Sequence, residues 1–347
     1  MGTENRRRSY RPSLRLLACV VLAAAMPTRS DSLVIKMATL VPQGTVWHTT
    51  LLELGQAWQK ASGGQVTLRI YPGGVAGDDA DVVRKMRLGS LDASLVTSAG
   101  LAEVDRAIFA LAVPMAYASY AEVDYVLDKL SERLDGIYLD KGFVVLGWAD
   151  GGWVHFFSRS PVVTPDDLKR QKLFNWAGDP QAVEVWRAAG FNPIPLPATE
   201  ISTALQTGLV TALPTTAQAA LLLQWYTHAP CMTDLNWAVL HGGIVVSKAA
   251  WEKVPVELRP ALRAAAQDAA GKLREETRTE ANADVEAMVK RGLTVVHVDD
   301  AAEAVWRKTV EAAYPEVRGG YVPADVFDAA LRLRDEYRAG VVGKPAH

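Results

Sequence analysis

PVELRPALRAAAQDAAGKLREETRTEANADVEAMVKRG spans residues 255–292 without a glycine pair. Its apolar residues recur at helical spacing, so it reads as one very long amphipathic helix, interrupted only by Pro260 near its start. A helix of that length exceeds what one small domain needs. It suits a strut lying across two lobes.

The flanking sequence supplies those lobes. LVIKMAT (33–39) is an apolar strand. Trp47, Leu51, Leu54 and Trp58 follow at helical spacing, and Gly63-Gly64 closes that helix. VTLRIYPGG (66–74) alternates as a strand, DDADVVRKMRLGS (78–90) is a helix opened by acidic residues, and DASLVTS (92–98) is the next strand. This β-α-β-α-β order with short connections predicts a mainly parallel sheet covered on both faces. Residues 119–142 are helical. FVVLGWAD (143–150) and WVHFFS (153–158) read as two strands separated by Gly151-Gly152. A second β/α region opens at TPDDLK, with Thr164 as cap and Pro165 at the first helical position. KLFNWAGDP (172–180) repeats the device: a short strand runs into a helix at Asp179-Pro180, with Phe174 and Trp176 on one face. LTVVHVD (293–299) is a late strand followed by two helices.

The 347 residues, 49% hydrophobic and 22% charged, leave room for two domains. Residues 1–25 read as a cleaved secretory signal. Arg6, Arg7, Arg8, Arg11 and Arg15 precede an apolar run too short to span a bilayer, and Ala23-x-Ala25 follows. Cys19 lies at the start of that run, the wrong place for a lipoprotein box, and RRSY is only a faint twin-arginine hint. Removing the leader takes five arginines and one glutamate, leaving 32 Lys+Arg against 38 Asp+Glu, a net charge of −6. That balance argues against nucleic acid or an anionic lipid surface as partner. The expectation is a protein free in the periplasm. Its single remaining cysteine, Cys231, is expected to be a small buried hydrophobe.

Catalytic and metal patterns are missing from the sequence. The six histidines show no metal spacing, no Cys cluster exists, and no G-x-S-x-G elbow occurs. GGVAGDD (73–79) resembles a phosphate loop only in its glycines. It lacks the lysine, and Asp78 and Asp79 would repel an anion, so it reads as a turn with a helix cap. His155 reads as a satisfied, half-buried histidine, and Glu200 and Asp179 as helix caps. No catalytic, metal or cofactor site is expected, and an enzyme is the weakest of the readings.

KMATLVPQGT, SGGQVTLRIYPGG, GSLDASLVTSAGLA, TPDDLKRQKL, AAGFNPIPLPATEISTALQTGLV and AAWEKVPVELR together resemble the solute receptors of tripartite ATP-independent periplasmic (TRAP) transporters, DctP type. The likeness runs from about residue 33 to beyond 290. It implies a two-lobed α/β periplasmic solute-binding fold with a hinge of crossing strands and a long bridging helix. Lobe I would be 32–152 with about 242–270, lobe II 153–241 with about 271–315, and about 316–347 a C-terminal helix and tail. It also implies a small-molecule ligand, TRAP membrane subunits as partners and no cofactor.

Family members commonly grip an organic acid with an arginine after KL and another on the crossing strand. Here those positions are Phe174 and Val154. Thr97 replaces acidic or polar groups after the third strand, Thr215 a pocket asparagine, and Ala198 an aromatic residue. Without both cations, a buried carboxylate has no partner to offset its desolvation. With Trp47, Trp153, Trp176 and Trp237 added, these substitutions predict a larger, apolar ligand site for a neutral or hydrophobic solute, with Thr39, Thr97 and Thr215 orienting any polar end. For Trp47 and Trp237, ordinary core is the competing reading. Alternatives to transport are a carrier handing a hydrophobic ligand to a periplasmic helical-repeat protein, a sensor subunit, or an enzyme on the same scaffold.

Overall fold

The first half of the chain winds β-α-β-α-β. β1 (Leu33–Thr39), α1 (Val46–Ala61), β2 (Val66–Tyr71), α2 (Asp79–Arg87), β3 (Ala93–Thr97) and α3 (Ser98–Ala102) follow one another directly. The computed structural model describes residues 1–2 and 32–342, so the leader and its Ala23-x-Ala25 site lie outside the described residues, as does the tail beyond Val342. Asp78 caps α2 by accepting from the Asp81 N–H, the turn-and-cap role expected of GGVAGDD. A 3₁₀ turn (Arg106–Leu111) leads to α4 (Tyr120–Asp140), capped by Ser119.

β4 departs from expectation. It is one strand of 16 residues, Phe143–Ser158, and not two. Gly151 and Gly152 form a bulge inside it, where the register on its neighbour shifts between Asp150 and Trp153. Gly152 takes φ +87°, a conformation open to glycine at no steric cost.

The second half runs α5 (Pro165–Lys169), β5 (Leu173–Trp176), α6 (Pro180–Ala188), β6 (Pro193–Leu196), α7 (Ile201–Thr207), β7 (Ala212–Thr216), α8 (Ala217–Leu222) and β8 (Cys231–Asp234). Asp167 accepts from the Val163 and Thr164 N–H groups at the start of α5, and Asp179 caps α6. Glu200 makes no capping bond at α7, contrary to the sequence reading. β9 (Ala238–Ser247) then returns beside β4, followed by α9 (Lys248–Trp251), α10 (Arg259–Val289), β10 (Thr294–His297), α11 (Asp300–Glu316) and, after a kinked segment at Val317–Tyr321, α12 (Ala324–Val342). Pro260 opens α10 in its first turn, where its missing N–H is harmless, and does not interrupt it.

The strands form one mixed sheet in the order β2-β1-β3-β9-β4-β7-β5-β6, with β8 also paired to β4 and β10 paired to β8. The pairs within each half are parallel (β1–β2, β1–β3, β5–β6, β5–β7), but β4 and β9 run antiparallel to one another and to their neighbours. The sheet is therefore less parallel than the sequence suggests, because the two crossing strands belong to both halves. α10 contributes Leu262, Ala266, Ala270 and Leu273 to the core over β1 and Met288 to the core under β5 and β7. It is the strut. Its approach to β4 is close: a Cβ at Gly147 would lie 2.9 Å from the Ala266 carbonyl oxygen.

Candidate functional site

Phe174 and Trp176 stand two apart on β5. Their rings meet edge to face, with centroids 5.5 Å apart, as the two-residue spacing on a strand requires. Both line a cavity of about 210 Å³ at the seam between the halves. The first half supplies Ser98, Phe109 and Val113. β5 and α6 supply the opposite wall, including Trp186, and α11 with the kinked segment closes the remainder through Trp306, Val310 and Tyr321. Trp186 stacks on Trp237 at 5.6 Å, and Phe156 stacks on Trp306 at 5.5 Å. These contacts hold the walls as rigid aromatic faces.

Several polar groups at the cavity are already engaged. Tyr314 donates its hydroxyl proton to the Pro114 carbonyl at 2.8 Å, and the Asn175 amide donates to the Trp176 and Asp179 carbonyls. Among the described lining residues there is no Lys, Arg or His, and Asp179 carries the one charge. Such a cavity suits apolar matter. It offers no side-chain cation to a desolvated carboxylate.

Four of the residues singled out from sequence come together here: Val154, Phe174, Trp176 and Trp237. Trp237 is thus both core and cavity wall. The other six lie off this cavity. Thr39 is buried and donates to the Leu95 carbonyl, and Thr97 donates to Asp79 at 2.6 Å. Both hydroxyls donate within the protein, away from this cavity. Thr215 is buried in β7 opposite His155. Trp47 donates its indole N–H to Thr277 at 3.2 Å, and Trp153 packs on Tyr120 with ring centroids 5.4 Å apart. Ala198 sits in a 3₁₀ turn against the core around Phe174. His155 lies 3.0 Å from the Leu235 carbonyl through Nδ1 and Cys231 is buried, both in the roles expected of them.

Trp186 was missed, although Ala182, Val185, Trp186 and Ala189 recur at helical spacing directly after the quoted strand. Phe109, Trp306 and Tyr321 carried no local signal. They reach the cavity only through tertiary packing.

Beside the cavity lies a polar compartment of about 200 Å³, sharing Ala99, Trp176 and Asp179 with it and holding Asp78, Asp79, Glu103 and Arg106. Burial pushes the Asp79 carboxyl up to about 6, against the opposing pull of its bonds from Thr97. Since its unfolded value lies near 3.8, Asp79 adds stability that is full below about pH 4 and lost as pH rises through 6. Comparing thermal melts of wild type and Asp79→Asn at pH 7.5 and 5.0 should show the wild type gaining on the variant at the lower pH. The expected gain is about 1 kcal/mol per pH unit below 6. A difference that does not change with pH would refute the assignment.

A sheet whose two halves share long crossing strands, tied by one helix and enclosing a pocket at the seam, defines a two-lobed solute-binding protein. The chain belongs to the DctP family, bacterial extracellular solute-binding protein family 7, whose sequence model matches residues 37–319. It is 26% identical over 199 residues to a solute-binding protein of Roseobacter denitrificans, covering 57% of this chain and 61% of that one. Among solved structures it resembles TRAP periplasmic solute-binding proteins of Xanthobacter autotrophicus Py2, with bound β-D-galacturonate (TM-score 0.80, 21% identity, 87% and 99% covered), and of Shewanella oneidensis, with bound succinate (TM-score 0.81, 20% identity, 87% and 99% covered). The chain is a TRAP receptor of DctP type. Its family and its structural neighbours are receptors and not enzymes.

Proposed function

We propose that this protein is a periplasmic receptor that takes a neutral, predominantly apolar solute between its lobes and delivers it to a TRAP membrane transporter. The observation that carries the reading is the lining of the cavity. Phe174 and Val154, where the resemblance places acid-gripping arginines, both face it, and no cation replaces them among the described lining residues. The acids bound by the neighbours belong to those proteins, and the resemblance puts this chain's departures from them at these two positions. In this reading the lobes are 32–152 with about 242–270 and 153–241 with about 271–315. β4 and β9 form the hinge between them.

Organic extraction of the purified protein, followed by mass spectrometry, is expected to release a neutral or largely hydrocarbon compound. Succinate and galacturonate should leave the melting temperature unchanged. A ligand present at a hundred times its Kd stabilises by about 2.7 kcal/mol, a shift of several degrees. Such a shift with either acid, from a protein that releases nothing on extraction, would overturn the proposal.

A further inference from the structure

We propose that Asp179 determines the ligand class: its carboxylate occupies Arg106 at the cavity wall and so denies that guanidinium to an acidic ligand. The inference rests on the reading of the cavity as a site for neutral solutes. Arg106 begins the 3₁₀ turn of the first half and Asp179 caps α6 in the second, so the pair spans the seam. Nη1 donates to Oδ1 at 3.0 Å and Nη2 to Oδ2 at 3.4 Å. The Ala182 N–H donates to Oδ1 at 3.0 Å and the Tyr321 hydroxyl to Oδ2 at 2.8 Å. Each carboxylate oxygen therefore has two donors, a complete binding site for a carboxylate that is filled by the chain itself.

The guanidinium does not depend on Asp179 for its position. Its Nε donates to the Tyr321 carbonyl at 2.8 Å, and its Cζ lies 4.1 Å from the Tyr321 ring centroid and 5.2 Å from that of Phe109. Those two rings stack at 4.7 Å. Removing Asp179 would leave a fixed, planar, charged fork just behind the cavity. Asp179 lines both the cavity and the polar compartment, whereas Arg106 lines only the compartment, so the carboxylate lies between the cation and the ligand space. An acid entering the cavity meets a carboxylate whose cation is already used, with Asp78, Asp79 and Glu103 behind it. Like charges in a desolvated site repel strongly.

The test uses octan-1-ol and octanoate as matched probes, titrated calorimetrically into the delipidated protein, its Asp179→Ala variant and the Arg106→Gln/Asp179→Ala double variant. In wild type, octanoate is expected to bind at least about tenfold more weakly than octan-1-ol. In Asp179→Ala the octanoate/octanol preference should rise by about tenfold or more, and formate should raise the melting temperature. Both effects should vanish in the double variant, which separates Arg106 from a nonspecific change. Asp179→Asn keeps a helix-capping oxygen while removing the charge, so it should shift the preference in the same direction if the alanine variant folds poorly. An unchanged preference in the folded variants overturns the proposal. A wild type that already prefers octanoate overturns it together with the neutral-solute reading. If no variant or wild type binds octan-1-ol, yet Asp179→Ala gains octanoate and formate through Arg106, the masked cation stands and the neutral-solute reading falls.

Discussion

Phe174→Arg is expected to expel an apolar ligand and to destabilise the fold by several kcal/mol. Phe174 is 2% exposed, and its ring packs against Trp176 and the core under β5 and β7. A guanidinium placed there enters a cavity with no carboxylate beyond Asp179, whose two oxygens are already engaged by Arg106, Tyr321 and a helix N–H. An unpaired buried charge costs on the order of 3–5 kcal/mol, and the lost aromatic packing adds to that. The sharper part of the expectation is rescue: succinate or benzoate should restore part of the melting temperature, because a ligand carboxylate supplies the missing partner. The measurement is a pair of melting curves with and without 10 mM acid (a concentration of about that order suffices for millimolar affinity). A variant that melts like wild type and still retains an apolar ligand on extraction would place position 174 outside the site.

Arg278→Met carries the second large effect. Asp150 lies in the β4 bulge, 2% exposed, and receives the Arg278 guanidinium at 2.7 Å, while Asp124 on α4 accepts two further bonds from it at 2.7 and 2.8 Å. Arg278 also lies over the Tyr120 ring at 4.2 Å. Burial opposes the charge of Arg278, yet the bonds and charges of Asp124 and Asp150 outweigh it and hold the guanidinium above its ordinary value. Methionine fills much the same volume but abandons Asp150 as an uncompensated buried charge, beside His241, whose burial pushes its imidazole down to about 4 and keeps it neutral. Urea unfolding should report a loss of about 3–5 kcal/mol. Adding Asp150→Asn should return a large part of it, since the orphaned charge is then gone. A loss below about 1 kcal/mol would mean that the network holds nothing at the hinge.

Local chemistry made many elements legible. Asp78 and Asp179 each precede a helix and cap it through their carboxylates, and at Thr164 the Asp167 carboxylate accepts from the Thr164 N–H, because a cap depends on residues three apart and on little else. Glu200 failed as a cap for the same local reason: its longer side chain forms no such bond at α7. The Gly151-Gly152 pair looked like a break between strands. β9 turns it into a bulge by pairing continuously on either side, a decision taken by a partner some ninety residues away.

The site divides along the same line. By itself the sequence determined the family, the strut, the export signal as an expectation, and the absence of arginine at positions 154 and 174. These follow from residue identity or from short-range spacing. Only the tertiary structure decided that Thr39 and Thr97 spend their hydroxyls on Leu95 and Asp79, that Trp306 and Tyr321 close the cavity, and that Asp179 holds Arg106 across the seam. Which face a side chain presents, and which partner satisfies it, depends on elements far apart in the chain being packed against one another, and no local pattern carries that information.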